Sequence, residues 1–245
     1  APQPENVSDS LNLFETEEAF FSSIKNTNMK LEHIQIQSNN IQQTAIFYQD
    51  VLELPIIEKK TNLISIQAGN SILEFVENAA FKSIYHFAFN IPENKLNEAI
   101  EWCKNKVDLI VIEDQNVITN FENWNANAVY FYDNNGNLLE FIARHDLENS
   151  QTEAFTSKSI LNISEIGIVN ENPLELGNQL IEKYGLEFFS KNANSQLFAA
   201  IGDDEGLLIM VKPNRNWYPT QTPSESNKTG ITLKNNEISI ALQFD

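Results

Sequence analysis

Residues 31–36 read Leu31-Glu32-His33-Ile34-Gln35-Ile36, and residues 84–89 read Ile84-Tyr85-His86-Phe87-Ala88-Phe89. Both are short alternating runs rich in β-branched or aromatic residues, the composition of strands, and both carry histidine at the third position. Apolar residues at helical spacing follow each run. They are Ile41, Ala45, Tyr48 and Leu52 after the first, and Leu96, Ala99, Ile100 and Cys103 after the second. Three strand-like runs then follow each helix, at 55–61, 63–68 and 71–77 in the first unit and at 109–113, 128–132 and 137–143 in the second. The closing runs match in kind: Ser71-Ile72-Leu73-Glu74-Phe75-Val76 beside Asn137-Leu138-Leu139-Glu140-Phe141-Ile142, each preceded by turn residues, Gly69-Asn70 and Asn135-Gly136. A β-α-β-β-β unit therefore occurs twice between Met29 and Arg144.

Working outward, a third unit begins near Ile163. A strand over 163–169 leads to a helix over 173–184, with Pro173 suited to a first helical position. Strand-like runs follow at 187–190, 196–201 and 207–211. The tail, 230–244, reads as one hairpin, too short for a fourth unit. The expected organisation is an N-terminal appendage over 1–28, a complete module over 29–145, a polar linker over 146–159 and a degenerate partial module over 160–245. The fold class is α+β, with paired β-α-β-β-β units. Within the appendage, Phe14, Phe20 and Phe21 suggest a short amphipathic helix. The chain begins at Ala1 rather than Met and reads as processed or trimmed, with no signal-peptide core visible.

The chain has 245 residues, and 16 basic against 34 acidic residues give a net charge of −18. Such a chain is repelled by phosphate backbones and anionic lipid, which argues against nucleic-acid and membrane partners. No apolar run approaches the ~20 residues of a membrane span. The expected partner is a small-molecule substrate, the expected location cytoplasmic, and a homodimer is one assembly open to it. The single cysteine, Cys103, permits no internal disulfide and is expected in the core.

Side chains alternate along a strand, so parity decides what can meet. His33 opposes Ile34 and Ile36, and His86 opposes Phe87 and Phe89. In the closing strands Glu74 and Glu140 likewise oppose their apolar neighbours. A lone strand histidine is most often structural. Here two of the chain's three histidines fall at matched repeat positions, each followed by a matched glutamate. If the first two units pair about a pseudo-twofold axis, His33, Glu74, His86 and Glu140 converge. Buried together, two carboxylates repel, and a divalent cation (Zn, Ni, Fe, Mn or Co) would satisfy all four groups. His145 has no matched partner and is expected in a loop.

The stretch from Leu31 to Leu54, with YHFAFNIP at 85–92 and VYFYDNNGNLLEFI at 129–142, resembles the vicinal oxygen chelate superfamily. That superfamily includes glyoxalase I, bleomycin-resistance proteins and extradiol dioxygenases. The resemblance covers Met29 to about Arg144, and more weakly Ile163 to Val211. It implies one divalent metal ion held by His33, Glu74, His86 and Glu140, in the pattern of glyoxalase I. It also implies that Glu140, or else Glu74, is the base moving a proton on a substrate chelated through adjacent oxygens. The implied activity is a metal-dependent lyase or isomerase. The alternatives are an extradiol-type dioxygenase using His33, His86 and Glu140, and a metal-free ligand-binding protein of the bleomycin-resistance kind.

Two departures qualify these implications. No histidine stands in the window Phe121-Glu122-Asn123, where the dioxygenase pattern wants one, and Asn134 replaces its usual proline. In the third unit Glu165 corresponds to His33 and Ile209 to Glu74, so no second metal site is expected there. That unit is expected to cover the first module or complete a pocket. Trp217 and Tyr218, with Phe121 and Trp124, are available as lid or packing aromatics.

Overall fold

A computed structural model describes residues 28–245, so the expected N-terminal helix lies outside the described residues. The first unit runs β1 (Met29–Ser38), α1 (Ile41–Ile46), β2 (Ile56–Lys60), β3 (Leu63–Ala68) and β4 (Ser71–Glu77). Asn40 caps α1 by accepting the Gln43 N–H. The helical path widens over Phe47–Val51, where buried Tyr48 donates to Asp133 Oδ2 at 2.9 Å. The second unit runs β5 (His86–Ile91), α2 (Leu96–Cys103), β6 (Thr119–Phe121), β7 (Ala126–Tyr132) and β8 (Leu138–Arg144). The third has β9 (Asn162–Val169), α3 (Pro173–Tyr184), β10 (Phe198–Asp203) and β11 (Gly206–Val211), and the tail hairpin is β12 (Thr229–Asn235) and β13 (Ile238–Phe244).

Each unit closes on itself through a parallel pairing of its first and last strands: β1 with β4, β5 with β8, β9 with β11. Units then join antiparallel through their first strands, and here the expected pairing changes. The first unit joins the tail hairpin, giving a six-stranded sheet ordered β13-β12-β1-β4-β3-β2. The second joins the third, giving a seven-stranded sheet ordered β10-β11-β9-β5-β8-β7-β6. The first two units thus occupy different sheets, and residues 29–145 do not close into one module. Internal repeats show that each first strand has a free edge; which edge docks on which depends on side chains far apart in sequence.

The sheets share one apolar core, with Ile34 and Phe75 from the first sheet and Phe87, Phe141 and Ile163 from the second all buried. Ser71 ties them as well, its Oγ donating to Leu31 O at 2.6 Å and accepting from Ile163 N at 2.9 Å. Cys103 lies in this core, where burial pushes its thiol up to about 12 and keeps it unreactive. Two expected strands differ. Residues 109–113 form no regular strand, and 187–190 contribute only a bridge from Phe188 to Ile201. The segment expected as a linker is docked: Phe155 is buried and meets Trp102 edge-on at 5.6 Å. Among the described residues no helix is long and apolar enough to cross a membrane.

One half-buried acid gives this fold a pH signature. Asp203 accepts Met29 N at 2.8 Å and Glu205 N at 2.8 Å, yet burial pushes its carboxyl up to about 6. A folded-state value above the unfolded one, ~3.9, means that the folded chain holds the proton more tightly between those two values. Its contribution is therefore fully present below about pH 4 and falls as pH rises through about 6, by about 3 kcal/mol. Urea titrations from pH 4 to 7 should show this loss in the native protein and its disappearance in Asp203→Asn. Equal pH slopes for the two would exclude the assignment.

Candidate metal centre

On β5 the pleat sends His86 and Ala88 to one face, while Phe87 and Phe89 enter the shared core. Ala88 has two strand partners, Glu140 on β8 and Glu165 on β9. Its methyl group leaves room above it, and the two carboxylates converge across it. His86, Glu140 and Glu165 are all buried, and one ligand atom from each lies within 4.8 Å of the others. His86 Nε2 stands 3.7 Å from Glu140 Oε2. On the other side of its ring, Nδ1 lies 3.1 Å from Leu138 O. A carbonyl only accepts, so Nδ1 carries the hydrogen and Nε2 presents its lone pair to the carboxylates. Burial pushes this imidazole down to about 4, against the Leu138 hydrogen bond, so it is neutral and able to ligate at neutral pH.

The carboxylates are under strain of a different kind. Burial, then the neighbouring Glu165 charge, push the Glu140 carboxyl well above its ordinary range, opposed by Arg144. Glu140 Oε1 is buried without a hydrogen-bond partner among the described residues. Glu165 is also raised by burial, and Arg144 counters that by direct contact with its Oε1. Arg144 is fully buried, donates from Nε to Asn90 Oδ1 at 3.1 Å and reaches Asp204 at 3.4 Å. Lys191 in turn answers Asp204 at 2.5 Å and Asp146 at 2.6 Å. With Lys191 shared between Asp204 and Asp146, one guanidinium faces two buried carboxylates, and a net negative charge is left whenever both are ionised. An orphaned carboxylate oxygen, a lone pair on His86 and that residual charge together fit a divalent cation.

The four residues expected to converge are divided between the sheets. His86 and Glu140 come together in the seven-stranded sheet, whereas His33 and Glu74 face each other at 3.7 Å in the six-stranded one. The set of His33, His86 and Glu140 that a dioxygenase reading required is split in the same way. Register explains why the first sheet gathers no third ligand. The place of Ala88 is taken there by Gln35, partner of Glu74 on β4 and Gly230 on β12. Gly230 thus stands where Glu165 stands, with no side chain, and Gln35 fills the gap. Glu74 is already satisfied, accepting from Gln35 Nε2 at 2.5 Å and from Ser65 Oγ at 3.0 Å. His145 lies in a turn after β8, 2.8 Å from Asn127 Oδ1.

Glu165, the third member of this cluster, was not among the expected ligands. Its alignment with His33 and His86 was visible, and a carboxylate at a ligand position is itself a donor. Ile209 supplies no ligand at the fourth equivalent position, where β11 pairs it with Gly167. Above the three polar groups lies a cavity of about 220 Å³ walled by Phe121, Trp124, Tyr130, Phe198, Trp217 and Tyr218, with Arg215 also lining it. Trp217 is buried and 5.3 Å from the His86 ring. Its seat depends on Gly167, where an added methyl carbon would fall 2.5 Å from the indole. The third unit therefore completes the pocket.

No protein-family profile matches the sequence, and no curated protein matches it. Solved structures do. A protein of Bacillus subtilis subsp. subtilis str. 168, described as a candidate dioxygenase, superposes with a TM-score of 0.56 at 15% identity, over 87% of this chain and 84% of its own. A single-residue variant of glyoxalase I from Zea mays superposes at 0.54 with 10% identity, covering 92% and 96%. Glyoxalase I from the same plant gives 0.52 at 10% identity, covering 89% and 73%. At these identities the likeness speaks for architecture alone: the chain has the glyoxalase/dioxygenase fold.

Proposed function

We propose that the protein is a metal-dependent lyase or isomerase acting on a small substrate held through two adjacent oxygens, with His86, Glu140 and Glu165 as ligands of one divalent ion. The observation that carries this reading is the buried triad with an unpartnered Glu140 Oε1. A nitrogen and two carboxylate oxygens suit Zn, Ni, Fe, Mn or Co. When bound, such an ion supplies a Lewis acid beside the substrate oxygens. Glu140 is the proton acceptor, because its free oxygen is committed to no other group. Glu74, the other residue considered for that role, is tied to Gln35 and Ser65 in the opposite sheet. Tyr130 pairs with Glu140 across β7 and β8, and burial with the nearby carboxylates raises its hydroxyl well above its ordinary value, keeping it a hydrogen-bond donor. Arg144 orients Glu165, and the aromatic walls line the cavity beside the triad.

Elemental analysis of purified protein tests this directly. About one divalent ion per chain is expected in the native protein and in His33→Ala, and close to none in His86→Ala. Loss of the ion in His33→Ala with retention in His86→Ala would place the site in the other sheet and overturn the assignment.

A further inference from the structure

The cavity beside the triad has a second chemical feature. The chain has only two arginines, Arg144 and Arg215, and twice as many acids as bases. Arg144 is held by Glu165 and Asp204. Arg215 lines the cavity, lies over the Phe198 ring at 4.9 Å, and has no carboxylate partner among the described residues. In so acidic a protein, a guanidinium left unpaired against an aromatic wall stands out. Arg215 is solvent-exposed, although partial desolvation lowers the pKa of its guanidinium. A second group is also unsatisfied: the Trp217 indole N–H is buried, with no hydrogen-bond partner among the described residues, on a residue only 3% exposed. Six aromatic rings and a volume of about 220 Å³ limit the occupant to a small planar body, below the ~300–1,000 Å³ of drug-sized sites.

We propose that this cavity selects a small aromatic carboxylate, with its ring between the aromatic walls and its carboxylate on Arg215. The proposal rests on the reading of His86, Glu140 and Glu165 as the place where the substrate's adjacent oxygens are held, and it adds what recognises the rest of the molecule. A planar guanidinium matches a carboxylate bidentately, and stacking on Phe198 fixes its plane. Trp217 offers a donor to an oxygen of the bound molecule, which would satisfy its orphaned N–H.

Titration calorimetry of the purified protein with benzoate, benzamide and cyclohexanecarboxylate tests the proposal. Benzoate should bind about tenfold or more tightly than either of the others, the yield of one charge-assisted contact and of ring stacking respectively. Arg215→Gln should abolish the preference for benzoate over benzamide, and Arg215→Lys should retain part of it. Elemental analysis of both variants should still give the metal content of the native protein. Equal binding of benzoate and benzamide by the native protein overturns the proposal. So does an undiminished preference in Arg215→Gln, since the carboxylate would then be held elsewhere. A metal-free native protein that still prefers benzoate through Arg215 would support this subsite while refuting the metal reading, so the two failures are distinguishable.

Discussion

Glu140→Gln is expected to lower turnover by about 10²–10⁴-fold, the range over which a positioned proton acceptor acts. Gln preserves the shape and can still accept a hydrogen bond, but it has no basicity. The readout is deuterium incorporation from solvent into α-oxoaldehyde adducts and 2-oxoacyl thioesters, taken with the metal content of the variant, because a ligand is also altered. The stability expectation runs the other way. Glu140 is buried, 2% exposed, beside a second carboxylate, and burial already favours its neutral form. Gln mimics that neutral form, so after chelator treatment the variant should melt at or above the native protein. A variant that exchanges deuterium at the native rate would remove Glu140 from the reaction. One that fails to fold would contradict the electrostatic account of the site.

Arg144→Met is expected to destabilise the protein by about 3–5 kcal/mol, the cost of stranding a buried charge by removing its partner. The guanidinium is fully buried and touches Asn90, Glu165 and Asp204. Without it, Glu165 and Glu140 would share an apolar site with no positive side chain in contact. Met fills much of the same volume, so the loss measures charge more than packing. Urea denaturation gives the magnitude, and the double variant Arg144→Met, Glu165→Gln should recover at least half of it, since the uncompensated carboxylate is then gone. A single-variant loss below about 1 kcal/mol would mean that Arg144 does not balance the site.

Much of this was legible in the chain. The β-α-β-β-β unit is written in residue periodicity, and the pairing of α3 with β9 and β11 follows the same grammar as the earlier units. Strand parity put His86 and Glu140 on one face and their aromatic neighbours in the core, because alternation along a strand is a local rule. The same rule applied to His33 and Glu74, which do meet, but without a third ligand. What decided between the two pairs was the neighbour across the sheet. Ala88 admits Glu165 beside Glu140, whereas Gln35 and Gly230 leave Glu74 with no second carboxylate. The repeats made the free edges of β1, β5 and β9 look alike in sequence. Their docking joins residues about 80 positions apart, such as Ala88 with Glu165, and only the packing of the sheets against a common core selects it. The amino-acid sequence by itself determined the units and the facing of His86 and Glu140. The tertiary structure decided which units meet, because that choice depends on side chains that become neighbours only once the edges have paired.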